Sequence, residues 1–255
     1  MALPELPLRF AVAGEDEAHH FAVTTLTDRI LTEQVAWLDG NLDACRIWRE
    51  TLEGRSWSVF VRARKELRQR DLRRSLPTGH FGRGDPAQPD ARFARAQLHI
   101  WKDANDRGER LDVVFIARDL DHKDGRLLGL RQAIAERPWP FAVVLAWFQP
   151  EAEAWFIAGH EPRGEDQRER HAQLRSRLGF CPIEQPHRLL STRDDSEKDA
   201  KVVWATLKAD DPDARLRSMQ VDLDRLRRNG AQAGVADFLD RIFQSIVPLF
   251  SGPSR

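Results

Sequence analysis

The chain contains no tyrosine, two cysteines and two methionines in 255 residues. The missing tyrosine excludes any mechanism that runs through a covalent tyrosyl intermediate. Cys45 and Cys181 are far apart and lack zinc-ligand spacing. Two thiols in so long a chain point to free cysteines in a reducing compartment. No run approaches the roughly 18 apolar residues of a membrane helix, so no membrane partner is expected. The N-terminal MALPELPLRF has no basic segment followed by an apolar one, so a cytoplasmic location is expected. An excess of one charge is lacking too: 40 Lys plus Arg balance 40 Asp plus Glu. Net charge therefore gives no reason to expect nucleic acid, although a local basic groove is compatible with it.

What the chain does have is charge in quantity, 31% of residues, above the usual quarter or so. It also has eight tryptophans, a bias for which we have no physical account. Trp37, Trp48, Trp101 and Trp204 fall at apolar helical positions and read as core rather than as base-stacking platforms.

The most informative stretch is LDVVFIARDLDHKDGR, residues 111–126. Its run Val113-Val114-Phe115-Ile116-Ala117 reads as a short buried strand. Arg118 ends it, and Asp119, Asp121 and Asp124 follow. Carboxylates just past the C-terminal end of a buried strand sit where open α/β sheets keep their ligand crevice. On a locally extended backbone Asp119 and Asp121 turn the same way. Two such carboxylates repel unless a hard cation such as Mg²⁺ lies between them. The plainer alternative is a polar loop in which Asp124, before Gly125, caps the next helix.

The same arrangement repeats along the chain. Residues 8–13 read as a strand ending at Gly14, with Glu15-Asp16-Glu17 after it and a helix over 18–38. The plainer role for Asp16 and Glu17 is to complement the macrodipole of that helix. A second strand is expected at 57–61, followed by a very basic helical segment over 62–76. The Gly/Pro-rich loop 77–86 lacks the Lys-Ser/Thr ending of a phosphate-binding loop. Helices are expected over 89–106 and 126–137. The apolar run 141–148 reads as a strand buried on both faces. Pro150, Glu151 and Glu153 then open another helix. Four strand–helix alternations predict an α/β fold with a parallel sheet of about four strands flanked by helices. Acids recur at three strand ends: Glu15/Glu17, Asp119/Asp121/Asp124 and Glu151/Glu153. From residue 160 onward the pattern turns helical, with segments at 163–177, 191–207, 213–228 and 235–249. The expected organisation is an α/β core over 1–160 and a helical C-terminal extension over 161–255.

Gly14-Glu15-Asp16-Glu17, Asp119-Leu120-Asp121 and Glu153-Ala154-Trp155, in this order of strands, resemble the Toprim domain of topoisomerases, primases and related nucleases. Small Toprim-related proteins of prokaryotic mobile-element and phage-defence loci carry a similar Glu-x-Trp signature and a Lys-rich helix like 196–201. The resemblance covers about residues 8–160. It implies Mg²⁺- or Mn²⁺-dependent phosphodiester cleavage of nucleic acid, in a defence setting. Asp119 and Asp121 would hold the ion, with Glu153 as a further ligand. Glu15 would be a ligand or general base, and Glu15, Asp119 and Asp121 the catalytic set. Glu17, Asp124 and Glu151 are secondary candidates, and Arg118, Lys123, Lys198 and Lys201 candidate phosphate contacts. One position departs from the family: its glutamate immediately precedes the glycine, and here that residue is Ala13. Glu15, or less readily Glu17, must then serve through a shifted turn.

Rival readings follow from the same residues. A degenerate Toprim-like fold would act as a non-catalytic sensor or partner-binding subunit of a defence complex, its oligomeric state open. A phosphohydrolase with Asp119 as covalent nucleophile would leave Glu15 without a role. The string Asp16-Glu17-Ala18-His19 matches a helicase motif but has no phosphate loop upstream. Glu17 and His20 lack the helical zinc order His-Glu-x-x-His.

Overall fold

The first strand, β1 (Leu8–Gly14), is buried at all but one position. Its neighbour β6 (Val113–Asp119) is buried until its last residue. Strands apolar on both faces belong inside a parallel sheet covered by helices on both sides, and that is where a computed structural model places them. The structure describes residues 5–49, 58–59, 80–81, 85–191 and 196–250. The main sheet has the order β2-β1-β6-β7, with β2 at Arg46–Trp48, β7 at Ala142–Phe148 and β3 (Ser58–Val59) also pairing β1. The strands of this sheet are all parallel, as the α/β reading expects. A separate two-residue ladder pairs β4 (His80–Phe81) with β5 (Asp85–Pro86).

The chain divides into two compact units. The first holds residues 1–117, 123–145 and 241–255; the second holds 118–122 and 146–240. The division follows spatial contacts and crosses the sequence at several points.

In the first unit the register explains the core. Ala11 pairs Val114 and Ala13 pairs Ile116. With period-two alternation these four lie on one face. They join a cluster with Ala94, Leu98 and Trp101 of α3 (Ala91–Asp106) and Leu130 and Ala133 of α4 (Asp124–Ile134). On the other face Phe10 stands edge-on to Trp48 at 5.1 Å and meets Phe115 at 5.9 Å and Phe250 at 6.4 Å. α3 and α4 approach so closely that a Cβ on Gly129 would lie 1.7 Å from the carbonyl oxygen of Pro89. Helix α1 (Glu17–Gln34) anchors β2 through Asp28, whose carboxylate takes both Arg46 Nε at 2.7 Å and Trp48 Nε1 at 3.2 Å.

In the second unit Trp155 organises the interior. It lies in α5 (Glu153–Ala158), is fully buried, contacts Phe148 at 4.3 Å and Phe238 at 5.1 Å, and donates from Nε1 to Ala233 O at 2.7 Å. The helices are α6 (Gly164–Leu178), α7 (Ala200–Lys208), α8 (Ala214–Gln220), α9 (Leu223–Asn229) and α10 (Val235–Ser245), whose last residues belong to the first unit.

Several local expectations need correction. β7 alternates between buried and half-buried positions, because it is the outer strand of the sheet order, not an inner one. Asp124 is the first residue of α4 and Lys123 occupies its cap position, so Asp124 does not cap. The helix expected over 191–207 begins at Ala200, where Asp199 caps it. Trp37 is 46% exposed and not core, although its Nε1 donates to Phe250 O at 3.1 Å. Trp101 and Trp204 are buried as expected. The basic segment 62–76 lies outside the described residues. Among the described residues no helix is long and apolar enough to cross a membrane. Both cysteines are free and buried.

Candidate functional site

The acidic turn after β1 belongs to the first unit. Gly14 is required there: a Cβ would lie 2.8 Å from His19 Cβ. Asp16 caps α1, its Oδ1 accepting from the backbone N–H of Ala18 at 3.0 Å and meeting His19 Nδ1 at 2.7 Å. Burial opposes ionisation of Asp16, but the His19 hydrogen bond and charge and the two backbone N–H groups outweigh it and hold the carboxyl at about 2. Asp16 therefore caps the helix by side-chain hydrogen bonds, a closer role than the macrodipole complement expected of it. Glu15 is half-buried and Glu17 is exposed in the first helical turn.

The second unit carries the ends of β6 and β7. Past Asp119, the Leu120 N–H donates to Phe148 O at 2.8 Å and the Asp121 N–H to Pro150 O at 3.1 Å. Backbone pairing thus runs on beyond the strands. Asp121 and His122 have φ of 48° and 56°, a left-handed region that non-glycine residues seldom adopt. The strand alternation therefore stops at Asp119, and the expectation that an extended backbone turns Asp119 and Asp121 the same way does not hold. His122 bridges Leu189 O, at 2.6 Å from Nε2, and the Gln149 amide at Nδ1. The carbonyl needs a donor, so Nε2 carries the proton and Nδ1 accepts.

The electrostatic centre is Glu151, three residues past the end of β7 and 5% exposed. Its Oε2 accepts no hydrogen bond from the described residues. Lys201 Nζ lies 3.3 Å from it, an ion contact without hydrogen-bond alignment. Burial pushes the Glu151 carboxyl up; Lys201 pulls it down; Glu153, Asp119 and Asp199 push it up again, to about 7. For Lys201 burial works against the charge, but Glu151, Glu153 and Asp119 prevail and its pKa is raised. Asp199 is 1% exposed and accepts from the N–H of Lys201 at 2.9 Å and Val202 at 3.3 Å, which fixes Lys201 at the start of α7.

The site residues expected from the sequence therefore fall into two groups. Glu151 and Lys201 act on each other, and Asp119 and Glu153 act on both. Arg118, buried at 6% exposure, Asp121 and Lys198 are in the same unit, whereas Glu15, Glu17, Lys123 and Asp124 belong to the other. Lys198 is exposed and precedes α7 instead of lying on it. Asp199 was missed, although Asp before an apolar helical run is a cap signal. Glu151, a secondary candidate from the sequence, is the acid on which the charges of Lys201, Glu153, Asp119 and Asp199 act. Its burial could not be read from the sequence.

The donor chemistry suits a hard divalent cation, since carboxylate oxygens are its preferred ligands. The arrangement does not: among the described residues no three or more His, Cys, Asp or Glu are grouped so as to hold one.

No family model matches the chain, and comparisons with curated proteins and solved structures give no match either.

Proposed function

We propose that the chain is a hydrolase of Toprim type that cleaves phosphodiester bonds in nucleic acid, with its proton-transfer group at Glu151. The observation that carries this is a buried carboxyl brought to about 7 at a strand-end cluster of acids beside a charged lysine. Strongly perturbed groups at the carboxyl end of a parallel sheet mark candidate active sites. A group titrating near neutrality both gives and takes a proton, so Glu151 can draw one from a water and return it to a leaving oxygen. The Lys201 ammonium, half exposed, offers positive charge to a phosphate oxygen. The Toprim resemblance of Asp119-Leu120-Asp121 and Glu153-Ala154-Trp155 supports the substrate class and a defence setting. Mg²⁺ or Mn²⁺ belongs to this proposal only as the cofactor that the resemblance implies; among the described residues no ligand set is grouped for it.

The test is cleavage of single- and double-stranded DNA and RNA by the full chain with Mg²⁺ or Mn²⁺. Glu151→Gln and Asp119→Asn are each expected to lower the rate by about a hundredfold or more. Unchanged cleavage in both would sink the proposal. The lack of a grouped ligand set among the described residues favours a second reading, a non-catalytic partner-binding subunit. It predicts no cleavage, no heat of Mg²⁺ binding and a stable protein partner.

A further inference from the structure

Far along the chain from the acids, α6 ends at Gly179, whose φ is 74°. The turn that follows brings Cys181 back against the helix. Its Sγ lies 3.5 Å from His171 Nε2. Cys181 is 7% exposed, yet it lines a surface cleft of about 590 Å³ together with Arg175, Ser176, Glu184 and Arg188. His171 and Arg175 are four apart on α6 and share its face. Arg188 is held by Gln185 Oε1 at 2.7 Å and over the Phe180 ring at 4.4 Å. A thiol in hydrogen-bond reach of an imidazole, beside a cleft, is the arrangement that activates a nucleophile.

We propose that Cys181 is a reactive thiol, with His171 as its base, that exchanges with small disulfides carrying carboxylates. Two guanidiniums against one carboxylate, Glu184, make the cleft wall favour anions. Burial and the neighbouring Arg175 lower the His171 pKa while Glu184 raises it, so the imidazole is neutral and free to accept. Disulfide exchange, unlike acyl transfer, needs no backbone donors for an oxyanion. In the tautomer protonated at Nδ1, His171 Nε2 takes the Sγ proton. The thiolate attacks one sulfur of the disulfide, the new S–S bond forms as the old one breaks, and the departing thiolate receives the proton. Cys181 is oxidised and the leaving sulfur reduced, with no further oxidant.

The experiment treats the full chain with 5,5′-dithiobis(2-nitrobenzoate), a dicarboxylate disulfide, and with neutral 2,2′-dithiodipyridine, and maps the modified cysteine by mass spectrometry. Cys181 is expected to react about tenfold or more faster than Cys45, and His171→Asn to slow it about tenfold. Arg175→Gln with Arg188→Gln should lower the rate with the dicarboxylate relative to that with the neutral reagent. Thermal melts establish that the variants fold. The proposal is overturned if wild-type Cys181 reacts no faster than Cys45, if folded His171→Asn reacts like wild type, or if the arginine pair changes both reagents equally. None of these readouts depends on the carboxylate cluster.

Discussion

At the scale of single residues, Glu151 and Asp16 show how environment separates two carboxylates of similar chemistry. Asp16 meets two backbone N–H groups and an imidazole, and is ionised down to about 2. Glu151 is buried among Glu153, Asp119 and Asp199, and Lys201 only partly offsets them. Its folded pKa, about 7, lies above the ordinary 4.5. Its contribution to stability is therefore full below about pH 4.5 and is lost as pH rises through 7. Glu151→Gln removes that loss. Relative to wild type, the variant should gain stability between pH 5 and 8, by up to about 1.4 kcal/mol per pH unit across the titration. Urea midpoints at the two pH values check this, and a wild-type-to-variant difference that is the same at both would contradict the burial argument. The two carboxylates differed in how much their neighbours in sequence revealed. Asp16 had a readable cap signal, but the burial of Glu151 depends on residues as distant as Lys201.

At the scale of elements, most of the secondary structure followed from pattern. β1, α1, α3, β6, α4 and β7 all form within a few residues of where apolar period and turn residues put them. β2 escaped because Arg46-Ile47-Trp48 is too short for a period to show. It is a strand because β1 offers it an edge and Asp28 anchors Arg46 and Trp48. The α3–α4 contact is another tertiary fact with a local consequence. Gly129 sits mid-helix, where alanine would ordinarily be preferred by about 1 kcal/mol. Here a methyl group would run into the backbone of Pro89 and Ala91. Gly129→Ala is expected to lower stability by about 1–3 kcal/mol despite its better helix propensity, measured by chemical denaturation. A stabilised variant would mean the helices pack less closely.

At the scale of the whole molecule, acid sensitivity sums groups from both units. His99 and His160 are buried, at 8% and 3% exposure. For each, burial is the first cause of a pKa lowered to about 4, and neighbouring charges add to it: Arg137, Arg95 and Lys102 at His99, and His171, Arg217, Arg225 and Arg170 at His160. A depressed histidine favours the fold above about pH 6.5 and loses that contribution as pH falls through 4. Glu151 acts in the opposite sense over part of the range. With two groups against one, stability is expected to fall between pH 6 and 4. Denaturation midpoints across that range test this, and the fall should flatten in His99→Gln combined with His160→Gln. A wild-type profile that is level or rising toward acid would refute it. By itself the sequence determined the alternation of strands and helices, and hence the parallel α/β sheet, because hydrophobic period is a property of consecutive residues. It also determined that acids follow three of the strands. Only the tertiary structure decided which acids share an environment: Asp119, Glu151, Glu153 and Asp199 around Lys201, with Asp16 serving a helix cap instead. The reason is that burial and electrostatic coupling depend on distances through space, which sequence separation does not encode.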